Sequence, residues 1–142
     1  MKNIFVYSKS NNLLFSVYLF VIIIGISACA KKTMFMISPV QPAARGFVEV
    51  KKDKNNNYQI KIELSSLSES IRLSPPKSYY VVWMVSRSNI NKNIGQIKPS
   101  SNLKASFETV STSKPAKIFI TAEDDPTLQY PGKLVVLTTD KI

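Results

Sequence analysis

After residue 45 the chain alternates apolar and polar side chains with a period of two. Val48 and Val50 alternate with Glu49 and Lys51, and Tyr58, Ile60, Ile62 and Leu64 alternate with Gln59, Lys61 and Glu63. A strand sends successive side chains to opposite faces, so each run predicts a strand with one wet face and one buried face. Asp53 to Asn57 between them is an Asn-rich turn, which makes the pair a hairpin. Ser78 to Val85 is β-branched and aromatic and apolar on both faces, the pattern of a central strand. Four further runs complete the series: Ile94 to Ile97, then Leu103, Ala105 and Phe107 alternating with Lys104, Ser106 and Glu108, then Ile118 to Thr121, then Leu134 to Thr139. Pro75-Pro76, Asp125-Pro126 and Pro131-Gly132 punctuate them, and no helical period stands out. About seven short strands at this spacing predict an all-β fold, an antiparallel β-sandwich over residues 45–142.

Upstream the pattern changes. Met1 to Asn12 is polar with Lys2 and Lys9 and no acid, Leu13 to Ile24 is apolar except for Ser16, and Gly25-Ile26-Ser27-Ala28 leads into Cys29. A basic segment, an apolar segment of about a dozen residues and a small-residue zone have the layout of a signal peptide over residues 1–28. Ile26-Ser27-Ala28-Cys29 resembles the lipobox of bacterial lipoproteins. That resemblance implies that Ile26, Ser27 and Ala28 are read by the lipoprotein signal peptidase, that the Cys29 sulfur is diacylated, that the chain is cut before Cys29, and that the new amino group is usually acylated. Two or three acyl chains hold a protein at a bilayer lastingly where one does so only marginally, at ~0.8 kcal/mol per buried CH₂. The alternative is an uncleaved span, because Leu13 to Ala30 is 18 residues long, and the chain would then be a membrane-spanning sensor subunit. Both readings place the residues after Cys29 outside the cytoplasm. In the lipoproteins this segment resembles, an Asp at the position of Ala30 signals inner-membrane retention, so the resemblance implies the outer membrane and its periplasmic face. Lys31 to Ala44, with Pro39, Pro42 and no clear period, reads as the rest of a lipidated tether over 29–44.

The chain has 142 residues, no histidine and one cysteine. Those absences exclude His-based acid-base pairs, Ser-His-Asp and Cys-His nucleophile systems, CxxC redox chemistry and Cys/His zinc cages. The formal net charge is +10. Removing residues 1–28 takes Lys2 and Lys9 and leaves 17 basic against 9 acidic side chains, about +8. Such a surface suits the membrane held through Cys29, an envelope protein or an anionic cell-wall polymer as partner, or serves solubility alone, the reading favoured by lysines scattered along the chain; nucleic acid does not fit the compartment.

Four segments in order resemble a known domain: Tyr80-Val81-Val82-Trp83, Ile94-Gly95-Gln96-Ile97, Ile118-Phe119-Ile120-Thr121-Ala122-Glu123-Asp124 and Pro131-Gly132-Lys133-Leu134-Val135-Val136-Leu137. They are similar to the extracytoplasmic C-terminal domain of anti-sigma-K factors, with its Tyr-x-x-Trp strand, Leu-Gly-x-Leu-type strand, Thr-x-Glu strand end and Pro-x-Gly before the last strand. The resemblance implies an immunoglobulin-like sandwich, in which Trp83 would take the buried-Trp position without a disulfide. Anti-sigma factors hold their partner with a cytoplasmic domain ahead of a membrane span, and only about a dozen polar residues precede the apolar run here. Sequestration of a sigma factor is therefore not expected.

Four groups of residues have candidate chemistry. Glu123-Asp124-Asp125 offers carboxylates, but calcium takes six to eight oxygens and the Asp-x-Asp-x-Asp-Gly spacing is missing, so turn chemistry is the expectation. A small envelope hydrolase or metal-dependent enzyme would use these carboxylates, pairing Glu123 with Glu108 or Asp125. Tyr79, Tyr80 and Trp83 suggest either a stacking platform or core, and Lys51, Lys52 and Lys54 either a contact with anionic surfaces or a solvated turn. No catalytic residue, metal ligand or cofactor is assigned. Lipidation of Cys29 is the expected functional modification, and the expected role is a non-catalytic interaction or sensing module anchored in the envelope.

Overall fold

The computed structural model describes residues 30–142, so Ile26, Ser27, Ala28 and Cys29 lie outside the described residues. Eight strands form: β1 (Lys31–Met34), β2 (Arg45–Lys52), β3 (Tyr58–Ser65), β4 (Tyr79–Ser86), β5 (Asn91–Ile97), β6 (Ala105–Ser111), β7 (Pro115–Glu123) and β8 (Val135–Thr138). They build two four-stranded antiparallel sheets, β1-β2-β3-β6 and β5-β4-β7-β8. The expected all-β sandwich is what the chain forms. Among the described residues the one helical element is a 3₁₀ turn at Ser70–Arg72.

The inward positions of the alternating runs meet between the sheets. Val48, Val50, Ile60, Ile62 and Leu64 of the first sheet pack with Tyr80, Val82, Met84, Ile118, Ile120 and Leu137 of the second. The hairpin of β2 and β3 closes on Asp53, whose carboxylate accepts the amides of Asn55 and Asn57, both at 2.8 Å. Leu103 does not join Ala105 and Phe107 on the inward side. It sits exposed in a Ser100–Lys104 turn with φ 60°, its amide donating to the Ser100 carbonyl, and the strand starts only at Ala105.

β4 is covered on both faces. Tyr80, Val82 and Met84 enter the core between the sheets, while Val81, Trp83 and Val85 point to the other side of their sheet and are also buried. Trp83 is therefore buried as expected, but on the outer face, away from the position between the sheets that an immunoglobulin-like pattern suggested. Its ring stacks on Phe119 at 6.2 Å between centroids and its indole N–H donates to Thr121 Oγ1 at 2.8 Å. The chain between β7 and β8 lies over this outer face. Asn93 Nδ2 donates to the carbonyls of Pro126 and Leu128, and Glu123 Oε1 accepts the Gly132 amide at 2.7 Å.

The stretch expected to be a tether is part of the fold. Lys31–Met34 pairs with Phe47 to Val50 as an edge strand, which adds an eighth strand to the expected seven and moves the start of the domain from residue 45 to 31. The period-two signal failed here because an edge strand is wet over most of its surface: only Thr33 of the four is even half-buried. The chain then changes sheets between two consecutive residues. The Phe35 amide donates to the Gly46 carbonyl of the first sheet, and the Met36 amide donates to Thr138 of the second. Gln41 further along is buried and holds this connector down, its Nε2 donating to the Tyr80 hydroxyl at 2.5 Å and its Oε1 accepting the Ser68 amide at 2.8 Å. The Tyr80 hydroxyl in turn donates to the Ser68 carbonyl.

Burial pushes the Tyr80 phenol from 10.0 up to about 12. The folded state thus favours the neutral phenol, and that contribution is whole below pH 10 and is lost as pH rises toward about 12. Denaturant midpoints measured across this window should fall for the wild type and fall less steeply for Tyr80→Phe. The variant should also lose roughly 1–3 kcal/mol at neutral pH, because Gln41 is left without its acceptor. Trp83→Ala should cost about 3–5 kcal/mol by the same assay, the toll of a large core side chain rather than of a surface aromatic.

Candidate functional site

The three neighbouring carboxylates go to three different uses. Glu123 is 5% exposed and holds the Gly132 amide, so it straps the β7–β8 connection onto its own sheet. A Cβ on Gly132 would fall 2.5 Å from the Glu123 carboxylate, so a side chain there would displace the carboxylate that holds the strap. Asp124 pairs with Lys77 at 2.5 Å and ties the chain entering β4 to the chain leaving β7. Asp125 accepts the Thr127 amide and hydroxyl at 2.8 and 2.7 Å, and these two bonds hold its carboxyl below the usual range. Among the described residues no group of three acidic, cysteine or histidine side chains converges on one point. Glu108 lies on the outer face of the first sheet and Glu123 on the outer face of the second, so the sandwich itself separates that pair, while Glu123 and Asp125 are each held by bonds to their own connection.

The aromatic trio is divided as well. Tyr80 faces the core, Trp83 the covered outer side, and Tyr79 alone is open to solvent, at 39% exposure. Tyr79 belongs to a groove of about 490 Å³ at the end of the molecule where β4 begins and β5 ends. The buried Tyr80 and Ile97 lie at its base, and Ile71, Glu69, Gln96 and Lys98 stand around it with Tyr79. Its position follows from the register, since Tyr80 faces Ile97 across β4 and β5. The 3₁₀ turn presents Ile71, 63% exposed, with the buried Ser70 carbonyl accepting the Leu73 and Lys77 amides beneath it. This arrangement offers an apolar surface with one acid, one base and an amide at its edge. It suits reversible contact with an extended or apolar ligand, and it holds no nucleophile paired with a base.

The outer face of the first sheet is a ladder of alternating charge. The strand register places Lys32, Glu49, Lys61 and Glu108 in one row across β1, β2, β3 and β6. Lys61 also bonds Glu63 at 2.7 Å. That bond, ahead of the Coulomb attraction between the two groups, raises the Lys61 ammonium and lowers the Glu63 carboxyl from their usual values. Exposed pairs of this kind contribute little stability, and the face is solvated rather than a site. Lys51, Lys52 and Lys54 are exposed around the β2–β3 turn, as the sequence pattern suggests.

Of the residues singled out for chemistry in the sequence, Tyr79 and Tyr80 line the groove, Tyr79 exposed at its rim and Tyr80 buried at its base. Glu69 and Ile71 come from the turn before β4 and Gln96 and Lys98 from around the end of β5, and nothing local in the sequence sets Ile71 apart from Leu67 and Leu73 beside it. Comparison with family models, with curated proteins and with solved structures finds no match to this chain.

Ca²⁺, Mg²⁺ or Mn²⁺ should leave the melting temperature unchanged, because a ligand of the native state must raise it and the carboxylates are committed elsewhere. Gly132→Ala should lower stability by about 1–3 kcal/mol through the clash with Glu123. A metal-dependent rise in melting temperature, or a fully stable Gly132→Ala, would contradict these assignments.

Proposed function

We propose that the chain is a lipid-anchored protein of the bacterial cell envelope, held through Cys29 at the periplasmic face of the outer membrane and acting without catalysis as an interaction or sensing module. The observation that carries this reading is the distance between Cys29 and the fold. β1 starts at Lys31, so cleavage before Cys29 leaves every described strand in place and only Ala30 between the lipid-bearing residue and the first paired residue. A sandwich anchored in this way stands directly on the bilayer rather than at the end of a tether. The four residues Ile26-Ser27-Ala28-Cys29 and the single cysteine support the same modification. The groove around Tyr79 and Ile71 then lies at the end away from the anchor, where a partner from the envelope can reach it.

The test is the mass of the N-terminal peptide from the membrane fraction, wild type beside Cys29→Ala. The expected result is a diacylated or triacylated peptide beginning at Cys29 that is absent from the variant. An unlipidated peptide beginning at Met1 would overturn the proposal and put a membrane-spanning N-terminus in its place.

A further inference from the structure

The net charge of the described residues sits almost entirely at one end of the sandwich, and that end is where the chain enters. Lys31 lies opposite Val50, and Lys51, Lys52 and Lys54 flank the adjacent β2–β3 turn. The antiparallel order brings three more connections to the same end. The β6–β7 connection and the start of β7 carry Lys114 and Lys117, and Lys141 follows β8, where the Ile142 amide donates to Ala116. Arg87 and Lys92 flank the β4–β5 turn, which also exposes Ile90 at 64%.

Against these nine cations the end has Asp53 and Asp140, and the Asp53 carboxylate is occupied by its own turn. Over the rest of residues 30–142, eight cationic side chains face seven acidic ones, which is close to neutral. The ion pairs among the described residues use Lys61, Arg72 and Lys77, so none of the nine is neutralised by one. Lysines kept only for solubility have no reason to collect at one end. A cationic end beside an anchor meets the headgroup layer within a Debye length of about 8 Å, where attraction is least screened.

We infer that this end of the sandwich binds the anionic phospholipid headgroups of the membrane in which the chain is anchored, with Ile90 entering the headgroup layer. The inference rests on the proposed anchor. It adds a second attachment signal and a fixed orientation, with the groove around Tyr79 and Ile71 pointing away from the bilayer.

Amine-reactive footprinting tests it on the full chain isolated from bacterial membranes and reconstituted into vesicles of phosphatidylcholine, with and without phosphatidylglycerol. Flotation with the neutral vesicles reads the anchor alone. On the anionic vesicles, labelling of Lys51, Lys52, Lys54 and Lys114 should fall by roughly fivefold or more, and high salt should restore it. Lys98, Lys104 and Lys133, at the opposite end, should label equally on both vesicles. A chain that floats but whose two groups of lysines respond alike overturns the inference. A chain that fails to float with neutral vesicles overturns the anchor beneath it.

Discussion

Burial of β4 on both faces is the constraint on which the molecule depends. Its inward side chains Tyr80, Val82 and Met84 bring the first sheet onto the second, and its outward side chains Val81, Trp83 and Val85 bring the β7–β8 connection over the back. A two-sheet sandwich usually leaves its outer faces to water. Here one outer face holds a Trp with no exposure, so the chain from Asp124 to Leu134 must be strapped down, and Glu123, Gly132 and Asn93 supply the bonds that do it. The carboxylate that looked most like chemistry in the sequence is thus committed to covering Trp83.

A second constraint sets how the domain meets its surroundings. The N-terminal strand begins in one sheet and, between Phe35 and Met36, passes its hydrogen bonding to the other, so a single short segment joins an edge of each sheet. This leaves no slack between the entry point and the sandwich. Whatever holds residue 29 fixes which end of the sandwich faces it, and the same antiparallel order that places the entry there also collects the lysine-bearing turns. The groove around Tyr79 and Ile71 falls at the other end for the same topological reason.

The parts of the fold set by local patterning were legible in the sequence, and those set by long-range pairing were not. Period-two alternation located β3 to within a residue and the middle of β2, and the two-sided apolar run identified β4 as central. Four features escaped. β1 is an edge strand whose residues are mostly wet, so it carries no alternation. Which face of its sheet Trp83 occupies depends on a loop more than 40 residues later in the chain, and both faces of β4 are apolar. The groove draws on Glu69, Ile71, Gln96 and Lys98, which only the pairing of β4 with β5 and the turn before β4 bring together. The clustering of lysines was equally hidden: they are spread along the chain, and only the strand order assembles them.

The central claim is that anchor and positive charge share one end and that this end faces the bilayer. Spin-label relaxation by nickel chelated to lipid headgroups measures this most directly, with labels at Asn55→Cys in the β2–β3 turn and Ser101→Cys in the Ser100–Lys104 turn at the opposite end of the membrane-held chain. The account predicts strong relaxation at position 55 and little at position 101. Equal relaxation at the two positions, or the reverse order, would contradict it.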